Sequence, residues 1–272
     1  MSRVRRSSLP VLTLLALISA LFLAEQFGRD SRLFREVLTG PRVAVFASLA
    51  KITPQLLGAI FAALCARRHE KGSETRRAWL LMSAWLGTWF LGQCVLSTYQ
   101  NVLRVPAPIP SLGDLFFTLG YVCVIVALFR FAAAYRASGF AVGSAREHAL
   151  LALGACAVFG VAAWFVLVPV AFGATPLGER LVNVGYPLLD LIALIPALVL
   201  FRITIGFHGG KVWRAWGALL AGIVFAMGGD IVFSDISPAH VEAIGPLADL
   251  LFILGYSFCG FGMRLQYELA AE

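Results

Sequence analysis

Long apolar stretches follow one another along the whole chain, and short polar or glycine-containing segments separate them. Each stretch is close to the length of about 20 residues that an α-helix needs to cross the hydrocarbon core of a bilayer. The pattern therefore predicts an all-α polytopic membrane protein with eight transmembrane helices. These spans are predicted at roughly 9–26, 43–66, 78–100, 112–135, 149–171, 181–203, 213–234 and 246–266.

Part of this pattern occurs twice. LGDLFFTLGY at 112–121 matches LADLLFILGY at 247–256 in seven of ten positions, and RAW at 77–79 returns at 214–216. Four spans per copy is an even number, so both copies would insert the same way up, related by an axis along the membrane normal. We therefore predict a single integral membrane domain made of two parallel four-helix repeats. The domain covers 1–272, with repeats at about 9–136 and 148–267 and a short cytoplasmic tail at 268–272.

Composition and charge agree with a membrane protein. Residues are 60% hydrophobic and 14% charged, and the mean hydropathy is +0.84, whereas soluble domains carry about 25% charged residues. If the amino terminus is cytoplasmic, fifteen of the 22 Lys and Arg residues fall on the cytoplasmic side, as the positive-inside rule requires. The net charge of +7 thus indicates topology rather than nucleic-acid binding. We expect an inner (plasma) membrane protein with both termini in the cytoplasm.

Cysteine and histidine give no sign of metal or disulfide chemistry. The five cysteines form no C-x-x-C pair and the four histidines no H-E-x-x-H spacing, so we predict neither a metal site nor a cofactor. The first span has a second interpretation. Its basic start and short apolar run are also typical of a cleaved signal peptide, and its removal would leave the other seven spans oriented as before.

Aspartates inside apolar runs are the main candidates for function. Asp114 and Asp249 stand at the same position of the repeated motif, at the predicted outer ends of their spans, where an acid can cap a helix and interact with its dipole. Asp190 lies near mid-membrane, where a carboxylate costs a few kcal/mol and is a functional candidate by default. Asp230 follows two glycines near the outer end of span seven, and glycines permit close helix contact.

Other polar side chains fall at a similar depth, and Lys51 is the candidate counter-ion. Together these residues predict a polar cavity that opens to the outside and binds a small ligand or cation. The alternative is a set of interhelical hydrogen bonds that hold the bundle together, with aromatic residues in interfacial belts. The full candidate set is Lys51, Gln93, Asp114, Tyr121, Tyr186, Asp190, Asp230, Asp249 and Tyr256.

Four stretches resemble a known family of regions. They are RRAWLLMSAWLGTWFLGQ, PIPSLGDLFFTLGYVCVIVALFRF, NVGYPLLDLIALIPALVLFR and GPLADLLFILGYSFCGFGMRL. They resemble the multi-span amino-terminal sensory region of bacterial diguanylate cyclases, phosphodiesterases and some histidine kinases. By this resemblance Asp114, Tyr186, Pro187, Asp190 and Asp249 occupy motif positions. Gln93 departs from the pattern, because the family often has an acid there.

The resemblance implies an inner-membrane module that receives an outer-side signal and transmits it through its last helix. Only QYELAAE follows span eight, so we expect either a truncated sensor or a free-standing one that acts on a cytoplasmic partner or as a homodimer. A small transporter or ion-coupled carrier is the alternative, although no clearly interrupted pair of spans is predicted. An intramembrane lipid enzyme is a third option, but no nucleophile or base stands beside the aspartates. We predict no enzymatic activity.

Overall fold

The computed structural model describes residues 41–140, 143–205, 208–234 and 241–271. Within these ranges the chain is helical and has seven helices long and apolar enough to cross a membrane. The chain is thus a multi-pass membrane protein, and the helices correspond to predicted spans two to eight. The first predicted span, at 9–26, lies outside the described residues, as does its signal-peptide alternative. The helices are α1 (Pro41–Arg67), α2 (Glu74–Ser97), α3 (Leu112–Ala137), α4 (Ala145–Ala162), α5 (Leu177–Thr204), α6 (Lys211–Ser234) and α7 (Val241–Ala270).

Two of the spans widen into π-helix at one end, which the sequence pattern did not predict. α2 continues as a π-helical segment over Thr98–Leu103, and α4 continues as another over Ala163–Leu167, followed by the short α-helical turn Val168–Ala171. Pro169 accounts for the second, because a proline has no N–H to donate and its ring clashes with the carbonyl group four residues earlier. A wider turn before the proline relieves both problems.

Three prolines lie inside helices without ending them. Pro54 lies inside α1, and Pro187 and Pro196 lie inside α5, and both helices continue past them. In a membrane, neighbouring helices and local adjustments of the backbone can satisfy the carbonyl groups that a proline leaves unpaired. The two spans therefore run unbroken through these prolines, as the predicted spans 43–66 and 181–203 do.

Six of the helices form a closed ring. α1 packs on α2, α2 on α3, α3 on α5, α5 on α6, α6 on α7, and α7 packs back on α1. Large buried side chains such as Trp85, Met82 and Leu128 fill the space between them. α4 lies outside the ring against α5, and its span exposes apolar side chains including Val158 and Phe165, as expected of a surface that faces lipid.

Glycines bring α7 against the backbones of both its neighbours. A Cβ atom added to Gly255 would lie 2.9 Å from the backbone nitrogen of Ala226 on α6. One added to Gly260 would lie 2.7 Å from the carbonyl oxygen of Pro54 on α1. Small residues that permit such close approach are typical of helix contacts in membranes, and here they seat the last helix between the two ends of the ring.

Candidate functional site

Two buried aspartates meet one tyrosine inside the ring. The Tyr121 hydroxyl oxygen lies 2.7 Å from Oδ1 of Asp190 and 3.0 Å from Oδ2 of Asp230. Asp190 is 2% exposed and Asp230 is 9% exposed. Both carboxyl groups therefore contact the same hydroxyl oxygen. We call Tyr121, Asp190 and Asp230 the carboxyl cluster; it joins α3, α5 and α6.

The helices fix these positions in different ways. Asp190 stands halfway along α5, as its predicted mid-membrane position requires, and Asp230 is one turn from the end of α6. The Ser234 hydroxyl at that end lies 2.6 Å from the carbonyl oxygen of Asn183 on α5. A Cβ atom added to Gly229 would lie 2.8 Å from the Phe252 ring, so this glycine permits the close contact that its place before Asp230 predicted.

The carboxyl cluster has too few hydrogen-bond donors. One phenolic hydroxyl has one hydrogen, which cannot serve both carboxylates at once. Oδ2 of Asp190 is buried and has no hydrogen-bond partner among the described residues. In the same part of the chain, no Lys or Arg forms an ion pair with either aspartate. Buried charges are normally paired or neutralised. If both aspartates are ionised, the carboxyl cluster therefore requires a further positive species.

Lys51 is a counter-ion, but of Asp249. Its Nζ atom lies 2.6 Å from Oδ1 of Asp249, and this ion pair joins α1 to α7. The Lys51 side chain is 9% exposed and that of Asp249 is 41% exposed. Helix capping, one of the two interpretations for Asp249, is wrong, because α7 already begins at Val241 and Asp249 stands two turns further in.

Asp114 does cap its helix. Its Oδ2 atom accepts hydrogen bonds from the backbone N–H of Ser111 and, at 2.8 Å, from the Ser111 hydroxyl. The same carboxylate has a second function, because the Tyr186 hydroxyl on α5 donates to its Oδ1 atom at 2.7 Å. Capping is therefore confirmed for Asp114, and the residue also holds α3 against α5.

Trp89, which the sequence did not single out, connects the carboxyl cluster to α7. Its ring centroid lies 5.1 Å from that of Tyr121 and 5.6 Å from that of Tyr256. A Cβ atom added to Gly120 would lie 2.2 Å from Cδ1 of Trp89, so only glycine leaves room for the indole. The glycine that precedes tyrosine in the repeated motif is the signal that could have indicated this contact.

The remaining predicted residues are buried near these contacts. Tyr186 stacks on Tyr121 with 5.9 Å between ring centroids, Tyr256 stacks on Phe252, and Gln93 is 4% exposed in α2. The structure thus brings together Tyr121, Asp190 and Asp230, with Tyr186 and Asp114 adjacent to them. It places Lys51 and Asp249 in a separate pair. The predicted cavity that opens to the outside stays a prediction.

Sequence reasoning also missed three buried polar side chains, one each on α1, α2 and α7. Gln55 is 0% exposed, and neither atom of its amide has a hydrogen-bond partner within the described ranges. The same holds for the hydroxyl of Ser257 and the indole nitrogen of Trp85. A glutamine in the apolar run KITPQLLGAI is the signal that could have indicated the first of them.

In the described part of the chain, no group of three or more His, Cys, Asp or Glu side chains is arranged to hold a metal ion. Comparisons of the chain with protein-family models, curated protein sequences and solved structures give no significant match. The resemblance to bacterial sensory regions therefore stays a prediction, and any functional argument depends on the geometry of the site.

Proposed function

We propose that this protein is a non-enzymatic sensory module of the inner membrane. A small ligand or cation from the outer side binds at the carboxyl cluster, and α7 transmits its presence to a cytoplasmic partner, an output domain or a second copy of the chain. The observation that carries this proposal is the underpaired carboxyl cluster itself. Two buried aspartates share one donor, and one oxygen of Asp190 has no partner in the described residues.

The contacts around α7 support its part in transmission. Trp89 touches both Tyr121 of the cluster and Tyr256 of α7, so a change in the cluster has a packed route to that helix. The backbones of α6 and α1 approach α7 closely at Gly255 and Gly260, so a displacement of either neighbour would act directly on this helix. At its far end, the Tyr267 ring packs on Phe61 of α1.

The ring arrangement also supports two parallel four-helix repeats. Asp114 and Asp249, equivalent in the motif, each bond across to a neighbouring helix, Tyr186 on α5 and Lys51 on α1. Gly92 packs on Phe117 in the hairpin of α2 and α3, and Gly229 packs on Phe252 in the hairpin of α6 and α7. Under this proposal α1, α2 and α3 are the counterparts of α5, α6 and α7.

A small transporter is the second candidate. The two π-helical segments favour it, because irregular turns near a buried polar site are a feature of many carriers. A carrier and a sensor would bind the same species at the carboxyl cluster, but only a carrier would release it on the other side. Uptake of protons and of alkali cations into liposomes that contain the purified protein separates these two candidates.

The first experiment combines thermal unfolding with hydrogen exchange. Purified protein in detergent would be screened against pH, alkali and alkaline-earth cations and small polar metabolites, and wild type would be compared with Asp190→Asn. We expect one condition to raise the melting temperature of wild type only. The same condition should change the amide exchange of residues 264–271 at the end of α7. Glu147→Gln, which removes an ion pair with Arg202 outside the carboxyl cluster, is the matched control and should respond as wild type does.

Two results would contradict the proposal. One is a melting temperature that responds equally in wild type and Asp190→Asn under every condition. The other is a wild-type response with no change of exchange in residues 264–271. The first would make Asp190 a structural residue, and the second would remove the transmitting function of α7.

A further inference from the structure

The donor shortage in the carboxyl cluster restricts what the site can bind. Two ionised carboxylates that contact the same hydroxyl oxygen lack one hydrogen between them, since ionised carboxylates only accept. The Tyr121 hydroxyl supplies one hydrogen for two contacts, at 2.7 and 3.0 Å. One additional hydrogen, on a carboxyl oxygen, would satisfy the remaining contact.

A metal cation fits the same geometry poorly. Hard cations such as Na⁺, Mg²⁺ and Ca²⁺ take about six or more oxygen ligands, and the carboxyl cluster offers two carboxylates and one phenol. Most carbonyl oxygens of the neighbouring helices are engaged in helical hydrogen bonds. Pro187 leaves the carbonyl of Asn183 without a helical donor, but that oxygen accepts from the Ser234 hydroxyl. Pro196 does the same for Ile192, which is an exposed residue. A proton requires no coordination shell, and it removes the repulsion between two carboxylates at short range.

We propose that the ligand of the carboxyl cluster is a single proton, shared between Asp190 and Asp230. Binding converts one carboxylate to a carboxylic acid, which donates its hydrogen to the Tyr121 oxygen, while the Tyr121 hydroxyl donates to the other carboxylate. This inference rests on the proposed function for the location of the site and adds the identity of the species bound. It makes the protein sensitive to pH on the side from which protons reach the cluster.

The other titratable groups around the carboxyl pair in the described residues are tyrosines, or carboxylates that already have a partner. The remaining titratable side chains that face the carboxyl pair are Tyr121 on α3, Tyr186 on α5 and Tyr256 on α7. Beyond them, Asp114 is bonded to Ser111 and Tyr186, and Asp249 to Lys51. α2 presents Trp89, and the π-helical segment Ala163–Leu167 beside α6 has no titratable side chain.

The proton would act as a clamp between two helices. With the proton present, a chain of hydrogen bonds runs from the carboxylic acid through the Tyr121 hydroxyl to the carboxylate and links the middle of α5 to the last turns of α6. Without it, two negative charges face each other in a low-dielectric interior and push these helices apart. Acid therefore favours the closed state, and loss of the proton at high pH favours separation.

Infrared difference spectroscopy of the intact protein in detergent or lipid tests this inference directly. We expect wild type at neutral pH to show one protonated-carboxyl C=O band per chain that shifts in D₂O and disappears as the pH is raised. Asp190→Asn and Asp230→Asn should each lose the band, because the amide N–H replaces the carboxylic acid as the donor to Tyr121 and the remaining aspartate ionises. Glu147→Gln should keep it.

Tyr121→Phe is a second test, which applies even if the asparagine variants fail to fold. It retains both carboxyl groups, so the band should persist at a shifted frequency. Absence of a protonated-carboxyl band from wild type at every pH at which the protein is folded would overturn the proton assignment, as would an unchanged band in both asparagine variants.

The outcomes also separate this inference from the proposed function. Stabilisation of wild type by Na⁺, Mg²⁺ or Ca²⁺ alone, lost in Asp190→Asn and accompanied by altered exchange in residues 264–271, overturns the proton and supports a sensory module. A pH-dependent band with unchanged exchange in those residues supports the proton and contradicts transmission through α7.

Discussion

The two copies of the repeated motif use the same aspartate in different ways. Asp114 caps α3 through Ser111 and accepts a hydrogen bond from the neutral hydroxyl of Tyr186. Asp249 stands inside α7 and pairs with the charged ammonium group of Lys51, which is almost completely buried. Asp114 connects α3 to α5, and Asp249 connects α7 to α1. The two contacts differ in the charge and the burial of the partner. They also differ in position, because only Asp114 caps the start of its helix.

The repeated motif therefore determines how its helix packs on the preceding helix of the same hairpin. The partner of its aspartate depends instead on the helix that faces it. The glycine of each LGY segment receives a neighbour closely, Trp89 against Gly120 and the Ala226 backbone against Gly255. The acid acts outward, toward α5 in one copy and α1 in the other. Its partner is set by residues that the two copies do not share.

The largest expected effect concerns the two glycines. Gly120→Ala and Gly255→Ala should each lower the free energy of unfolding in detergent by about 3 kcal/mol, because overpacking forces neighbours apart. Trp89→Phe should partly rescue Gly120→Ala, since the clash involves a side chain. Ala226→Gly should not rescue Gly255→Ala, since that clash involves backbone atoms.

A control in the same bundle is Gly87→Ala, whose added Cβ meets nothing within 4 Å. It should be neutral or stabilise α2 by up to about 1 kcal/mol. If Gly255→Ala were rescued as readily as Gly120→Ala, the distinction between side-chain and backbone contact at these positions would be wrong.

The ion pair should show a strong asymmetry between its two members. Asp249→Asn leaves the ammonium of Lys51 buried without a counter-charge and should cost about 2 kcal/mol, less than the ~3–5 kcal/mol for a fully buried pair, since Asp249 is partly exposed. Lys51→Met leaves a carboxylate that can reach water, because its side chain is 41% exposed, and should cost less. Chemical unfolding of both variants in the same detergent measures the difference.

The double variant Lys51→Met and Asp249→Leu is the control for this prediction. It removes both charges together and should recover most of the stability lost in Asp249→Asn. A larger loss in Lys51→Met than in Asp249→Asn would show that burial does not decide the asymmetry.

Smaller effects are expected at the other copy. Asp114→Ala removes both the helix cap and the bond to Tyr186 and should cost about 1–2 kcal/mol. Tyr186→Phe removes only the interhelical bond and should cost about 0.6 kcal/mol. Thermal unfolding of both variants beside Ser111→Ala separates the cap from the bond, and equal losses in all three would contradict two independent functions for Asp114.

Much of the architecture followed from the sequence alone. Apolar length fixed the seven described spans, because a helix that satisfies its own backbone hydrogen bonds is the way a single apolar segment crosses a bilayer. The cost of a mid-membrane carboxylate made Asp190 a functional candidate before any contact was known. The glycine beside Asp230 predicted close helix contact, and the acid at the start of α3 predicted a cap.

Only the tertiary structure decided which side chains meet. Nothing in the order of residues indicates that Tyr121 of α3 would lie between Asp190 and Asp230 of α5 and α6. The order of residues also does not indicate that Lys51 pairs with Asp249 rather than with Asp190. Those pairings depend on the closure of the ring, α3 on α5 and α7 on α1, which is set by many small packing contacts. Apolar length along the chain was enough to predict the spans, whereas the ring determined the partners of their polar residues, because each partner stands on a different helix.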